Sequence, residues 1–192
     1  QGLHTKILGV ACRVLGVSAA RIQLMTTSTD KVPNTSATAA SSGSDLNGQA
    51  VKAACLTLLE RLRPVAAAML EVDPAQLVFA DDRVHAADDP SLCVDIAEVT
   101  AAAYGARISL SATGYYRTPG LHWDPKAGRG HPFYYFAYGA AVSEVEVCGY
   151  SGVHQLLRVD LLHDVGDSLN ESIDDGDGGS IERGDLVSRE SI

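Results

Sequence analysis

Apolar residues recur at Leu3, Ile7, Val10, Ala11 and Val14, three or four positions apart, which predicts a helix over Leu3 to Leu15 with one buried side. Gly16 closes it, and RIQLMTT predicts a strand. Pro33 lacks a backbone donor and pushes Val32 out of the helical region, so DKVPNTS is a turn. A longer helix is expected from about Ser44 to Met69, with Leu46, Ala50, Ala53, Ala54, Leu58 and Leu62 inward and Pro64 kinking or ending it early. Leu77 to Ala80 and Arg83 to Ala86 predict a hairpin about Asp81 and Asp82. DIAEVTAAAYGA predicts a short helix, with Asp95 as N-cap and Glu98 at capping-box spacing.

Alternation predicts a strand in RISLSATGYY, and Gly and Pro make TPGLHWDPKAGRGHP a loop. Two longer strands follow, Phe133 to Val147 and Leu156 to His163. Val142, Val145 and Val147 are expected to point inward, beneath the helices. The order of elements predicts an α+β fold, with helices packed on a mixed β-sheet in two layers.

The chain has 192 residues, 46% of them hydrophobic and 20% charged, the composition of a globular domain with a real core. No apolar run approaches the roughly 20 residues that span a bilayer, and no basic-then-apolar leader opens the chain, so no membrane and a cytoplasmic address are expected. A net charge of -9 argues against a nucleic-acid surface, which needs clustered Lys and Arg. Cys12, Cys55, Cys93 and Cys148 contain no Cys-x-x-Cys pair, so no structural zinc is expected, and Cys12 and Cys55 read as buried free thiols on helix faces. Gln1 in place of an initiator methionine suggests a fragment.

Other chemistry-bearing residues have plain readings. His122 and His131 flank WDPKAGRG without ligand spacing and read as solvated loop histidines. The acidic stretch after His163 lacks the order of a calcium loop and reads as a frayed tail. The aromatics of YYRTPG and HPFYYFAYG are expected to fill a sheet core, and Gly105, Gly114, Gly120, Gly128 and Gly130 to make turns.

One stretch is unusual. NTSATAASSGSDLNGQA, Asn34 to Ala50, keeps large side chains away just where a helix begins. A polar linker needs only Gly and Ser, but a helix start offers unpaired N–H groups and a positive dipole end, and slim side chains let an anion reach them. Composition alone leaves both readings open.

The blocks QGLHTK, STDKVPNTSATAASSGSDLNGQA, ISLSATGYYRTP, HPFYYFAYGAAVSEVEV and LRVDLLHDVGDSLN resemble, in order, the molybdopterin-binding subunit of xanthine dehydrogenase. The resemblance covers most of the chain and implies a two-layer molybdopterin-binding subdomain over residues 1–170, followed by a divergent acidic tail over 171–192. It implies a parent enzyme that hydroxylates hypoxanthine and xanthine and passes electrons to iron–sulfur centres and FAD in partner domains or subunits. Gln1 matches the family's glycine-bracketed glutamine and is followed by Gly2. Ala39, Ala40, Ser41, Ser42, Gly43 and Ser44 match the small-residue loop that wraps the pyranopterin and its phosphate, with Ala40 toward the metal.

The resemblance also shows what is absent. The family's Gly-Glu-Pro-Pro segment with its glutamate base is missing, as are the groups that orient the purine, so no catalytic residue and no metal ligand is assigned. Asp175 and Asp177 stand where the family has an apolar residue and a glutamine, and CGYSGVHQ replaces its acidic turn. A piece with one wall of the site is expected to bind molybdopterin weakly and to turn nothing over. Its partners would be the remainder of the molybdenum subunit and the iron–sulfur and FAD parts; alone it is expected to form homo-oligomers. The alternative is a non-catalytic, self-associating interaction domain derived from that family.

Overall fold

The computed structural model describes residues 2–30, 42–164 and 169. The chain divides into two units, Gln1–Arg117 and Thr118–Ile192.

In the first unit α1 spans Leu3–Leu15 as the apolar spacing predicts, and Gly16 ends it in the left-handed region, φ 68°, its N–H donating to the Cys12 carbonyl. A side chain at Gly16 would overlap the Phe79 carbonyl, so both conformation and contact demand glycine. α2 spans Gly43–Leu70 and runs through Pro64 without ending. The bond lost to proline is the one to the Glu60 carbonyl, and both residues are on the exposed side of the helix. The buried stripe of α2 is Gly48, Cys55, Leu59, Leu62 and Ala66, and Leu46, expected inward, is exposed. Gly48 sits where Ile7 and Val10 of α1 pack.

β1 (Leu77–Ala80), β2 (Arg83–Ala86) and β3 (Cys93–Asp95) form an antiparallel sheet in that order. Asp81 and Asp82 both take positive φ, 52° and 64°, the hairpin geometry that their short polar side chains tolerate. β3 was not legible in advance, being three residues long. α3 (Ile96–Gly105) starts on the Asp95–Glu98 capping box. Leu62, Ala66, Ala67, Leu77, Val84, Ile96, Val99 and Ala103 form the buried core between helices and sheet.

Asp82 ties this unit together. Its main chain accepts from Ile96 and donates to Gly16, and its carboxylate accepts from the Ser18 amide at 2.8 Å and pairs with Arg21 at 3.2 Å. Arg21 also reaches Asp95 at 3.1 Å.

RIQLMTT and RISLSATGYY do not become strands. Ala19–Arg21 is a 3-10 turn, and the residues after it have no strand neighbour among the described residues. Ile108–Tyr116 is extended but lies on α2: Arg61 donates to the Ser109 and Ser111 carbonyls at 3.0 and 2.8 Å, and a side chain on Gly114 would overlap the Ala50 carbonyl. Gly114 is therefore a close-approach residue rather than a turn.

In the second unit the expected loop contains a hairpin, β4 (His122–Asp124) with β5 (Arg129–His131). Asp124 accepts from the amides of Lys126 and Ala127, and this closes the turn. β6 (Tyr138–Val147) pairs antiparallel with β7 (His154–Asp164), with a register shift at Glu144/Val145. Tyr138 and not Phe133 opens β6; the preceding Phe133, Tyr134, Tyr135 and Phe136 are 53–62% exposed instead of filling a core. Val142, Val145 and Val147 are exposed too, at 66%, 52% and 58%. The register places Val145 and Val147 on one face with Leu156 and Leu161, and Val142 on the other. A two-stranded ribbon has no interior of its own. The class is α+β, and the described strands pair antiparallel in three separate sheets.

Candidate functional site

α2 begins at Gly43 with Ser42 as N-cap, and the Ser42 side chain does not cap the helix. The Leu46 amide returns to the Ser42 carbonyl at 2.9 Å, while the amides of Gly43, Ser44 and Asp45 meet no described main-chain acceptor. The first turn of this 28-residue helix carries its positive dipole end, with Gly43 buried and Ser44 and Asp45 half-buried. Gly2 caps α1 in the left-handed conformation, φ 65°, and the Lys6 amide donates to its carbonyl at 3.0 Å. The contact of Gly48 with Ile7 and Val10 lies within about two turns of both helix starts. Of the residues singled out from sequence, Gly2 lies at the start of α1 and Ser42, Gly43 and Ser44 at the start of α2, and the two helices pack on one another at Gly48. Gln1, Ala39, Ala40 and Ser41 lie outside the described residues, as does the acidic tail.

Helix-start amides and the Ser44 hydroxyl have the chemistry of a phosphate site, with the Asp45 carboxylate as the opposing charge. The slimness of Ala50 has a second cause, because the chain's own Gly114 lies against its carbonyl. Sequence reasoning missed this use of small residues. A Gly inside a strand-like run was the available signal.

Among the described residues no cluster of three or more His, Cys, Asp or Glu could hold a metal ion. No described helix is long and apolar enough to cross a membrane. All four cysteines are free: Cys55 is buried, Cys12 and Cys93 half-buried and Cys148 exposed. Burial pushes the Cys55 thiol up. At Cys148, donors from the Ser151 side chain, then the Ser151 and Tyr150 amides, lower the thiol to about 7. The first unit also contains a cavity of about 760 Å³, lined by Leu15, Val17, Ile22, Leu58, Ile96 and Leu110 among others, with none of the sequence-selected residues on its wall.

The first unit is an α+β module, and its slim residues lie at the start of its longest helix. Residues 1–180 match the family described as the molybdopterin cofactor-binding domain, and the chain belongs to that family. Relatives include the xanthine dehydrogenase/oxidase of Mus musculus, 44% identical over 92% of this chain, and the xanthine dehydrogenase of Dictyostelium discoideum, 42% identical over 92%. Aldehyde oxidase 2 of Cavia porcellus is 43% identical over the same share. The chain spans only 12% of the length of each of these. Among solved structures, quinoline 2-oxidoreductase from Pseudomonas putida 86 superposes with a TM-score of 0.71 at 25% identity, over 90% of this chain and 21% of that one. CO dehydrogenase from Oligotropha carboxidovorans gives 0.74 at 23% identity over 91% and 21%, a likeness of fold alone. The resemblance drawn from the five sequence blocks is borne out at the level of the family.

Proposed function

We propose that this chain supplies one wall of the molybdopterin site of a larger xanthine dehydrogenase-like enzyme, working in the cytoplasm on purines such as hypoxanthine and xanthine. The observation that carries this reading is the small-residue start of α2 within a chain that matches the molybdopterin-binding family over residues 1–180. The amides of Gly43 and Ser44 with the Ser44 hydroxyl would hold the phosphate, and Gln1, Gly2, Ala39, Ala40, Ser41 and Ser42 would line the pterin. When bound, the cofactor supplies the redox chemistry of hydroxylation, while this chain binds and orients it. The remainder of the molybdenum subunit and the iron–sulfur and FAD parts are the expected partners. The family's glutamate base has no counterpart here, so the 192-residue chain by itself should turn over no xanthine.

The test is molybdenum content. Ser44→Asp in the longer polypeptide of the same gene adds a second carboxylate beside Asp45 and should lower bound molybdenum about tenfold without changing the helical circular dichroism. Full molybdenum in that variant, or molybdenum at unit stoichiometry with xanthine turnover in the 192-residue chain, would refute the reading.

A second reading, a non-catalytic domain that self-associates, is favoured by the exposed Val145, Val147, Leu156 and Leu161 on one face of the β6–β7 ribbon.

A further inference from the structure

Two segments with the alternation of strands have no strand partner in the described structure. The amides of Gln23 to Thr27 make no main-chain hydrogen bond to a described residue, nor do those of Ser109 to Tyr115. Both segments meet at one place: Ile22, at the head of the first, and Leu110, within the second, line the same apolar cavity of about 760 Å³. Leu24 and Met25, next along the first segment, are 43% and 71% exposed. The one cation on the cavity wall, Arg21, is already paired with Asp82 and Asp95, so an ionic ligand finds no unpaired counter-charge there.

A segment of strand-like sequence with unbonded amides beside an apolar cavity suits strand addition, in which main-chain bonds form along the segment and alternate side chains enter the cavity. We infer that a β-strand from polypeptide outside residues 1–192 pairs with Gln23–Thr27 and places its apolar side chains in this cavity, against Leu110. The source follows from length, since the matched relatives are about eight times longer than the part this chain covers. The inference rests on the reading that the chain works within a longer enzyme, and it does not require cofactor.

Amide hydrogen exchange tests it on two metal-free proteins, the 192-residue chain and the longer polypeptide of the same gene. Gln23–Thr27 should exchange quickly in the short chain at every concentration and about a hundredfold more slowly in the longer one. Leu110→Asp in the longer polypeptide should abolish that slowing and leave the exchange of α3 unchanged. No slowing in the longer polypeptide overturns the inference, and so does slowing that survives Leu110→Asp. Protection that appears in the short chain as its concentration rises overturns it as well, by making a second copy the occupant. If Leu110→Asp unfolds the unit, the comparison of the two unsubstituted proteins still decides. Molybdenum content and exchange of metal-free protein are separate readouts, so the cofactor reading and this one can fail independently.

Discussion

Cys148 and Asp82 show what single residues do in this fold. Cys148 opens the turn between β6 and β7, where donors from Ser151 and Tyr150 stabilise its thiolate and bring it to about 7. Iodoacetamide should therefore label Cys148 first, with a rate that titrates around that value, while Cys55, buried and shifted upward, should react only on unfolding. Ser151→Ala should move the midpoint of labelling toward the ordinary thiol value, and mass spectrometry of time points would show it. Asp82 lies below its ordinary value of 3.8, first because the Ser18 amide donates to it, then through the Ser18 hydroxyl and Arg21, with desolvation opposing. A carboxylate depressed on folding contributes stability that is fully present above its unfolded pKa and is lost as pH falls through the folded one. The urea midpoint of the wild type should therefore fall in acid below about pH 4, and Asp82→Asn should flatten part of that fall. Asn keeps the positive φ that this turn requires.

At the scale of elements, α2 organises the first unit. Its last third packs on the sheet and α3 through Leu62, Ala66 and Ala67, and Ala50 and Ala54 admit the chain at Gly114 against bare backbone. Gly114→Ala has no room, and the extended segment must lift from the helix, disturbing the Arg61 bonds to Ser109 and Ser111. A loss of more than about 2 kcal/mol is expected in denaturant unfolding. An unchanged midpoint would show that the segment does not rest on α2. The same element explains why strand alternation misled at Ile108–Tyr116. Alternation reports which side chains face in, whereas a strand also needs a neighbour, and here the neighbour is a helix.

At the scale of the whole molecule, apolar surface is the issue. β6 and β7 expose Val145, Val147, Leu156 and Leu161 on one face, and patches of several hundred Å² seldom stay bare in soluble monomers. Light scattering of the 192-residue chain should show dimers or larger species, and Val145→Lys with Leu161→Lys should shift them toward monomer. A monomer at all concentrations in the unsubstituted chain would contradict this.

Local signals were enough for α1 with its Gly16 stop, the Asp81–Asp82 hairpin and the capping box of α3, because spacing, a left-handed residue and a reciprocal cap each act within a few residues. The family was legible for a similar reason, since long ordered blocks persist in the chain itself. Of the candidate site, Gly2 and Ser42, Gly43 and Ser44 fall at the starts of α1 and α2 as the helix boundaries read from sequence imply, and the other four lie outside the described residues. Tertiary structure alone decided which alternating segments became strands, which face of α2 was buried, and why Gly114 carries no side chain. Each of those outcomes depends on what lies opposite in space, and a pattern along one chain records a residue's own preference but not its neighbour.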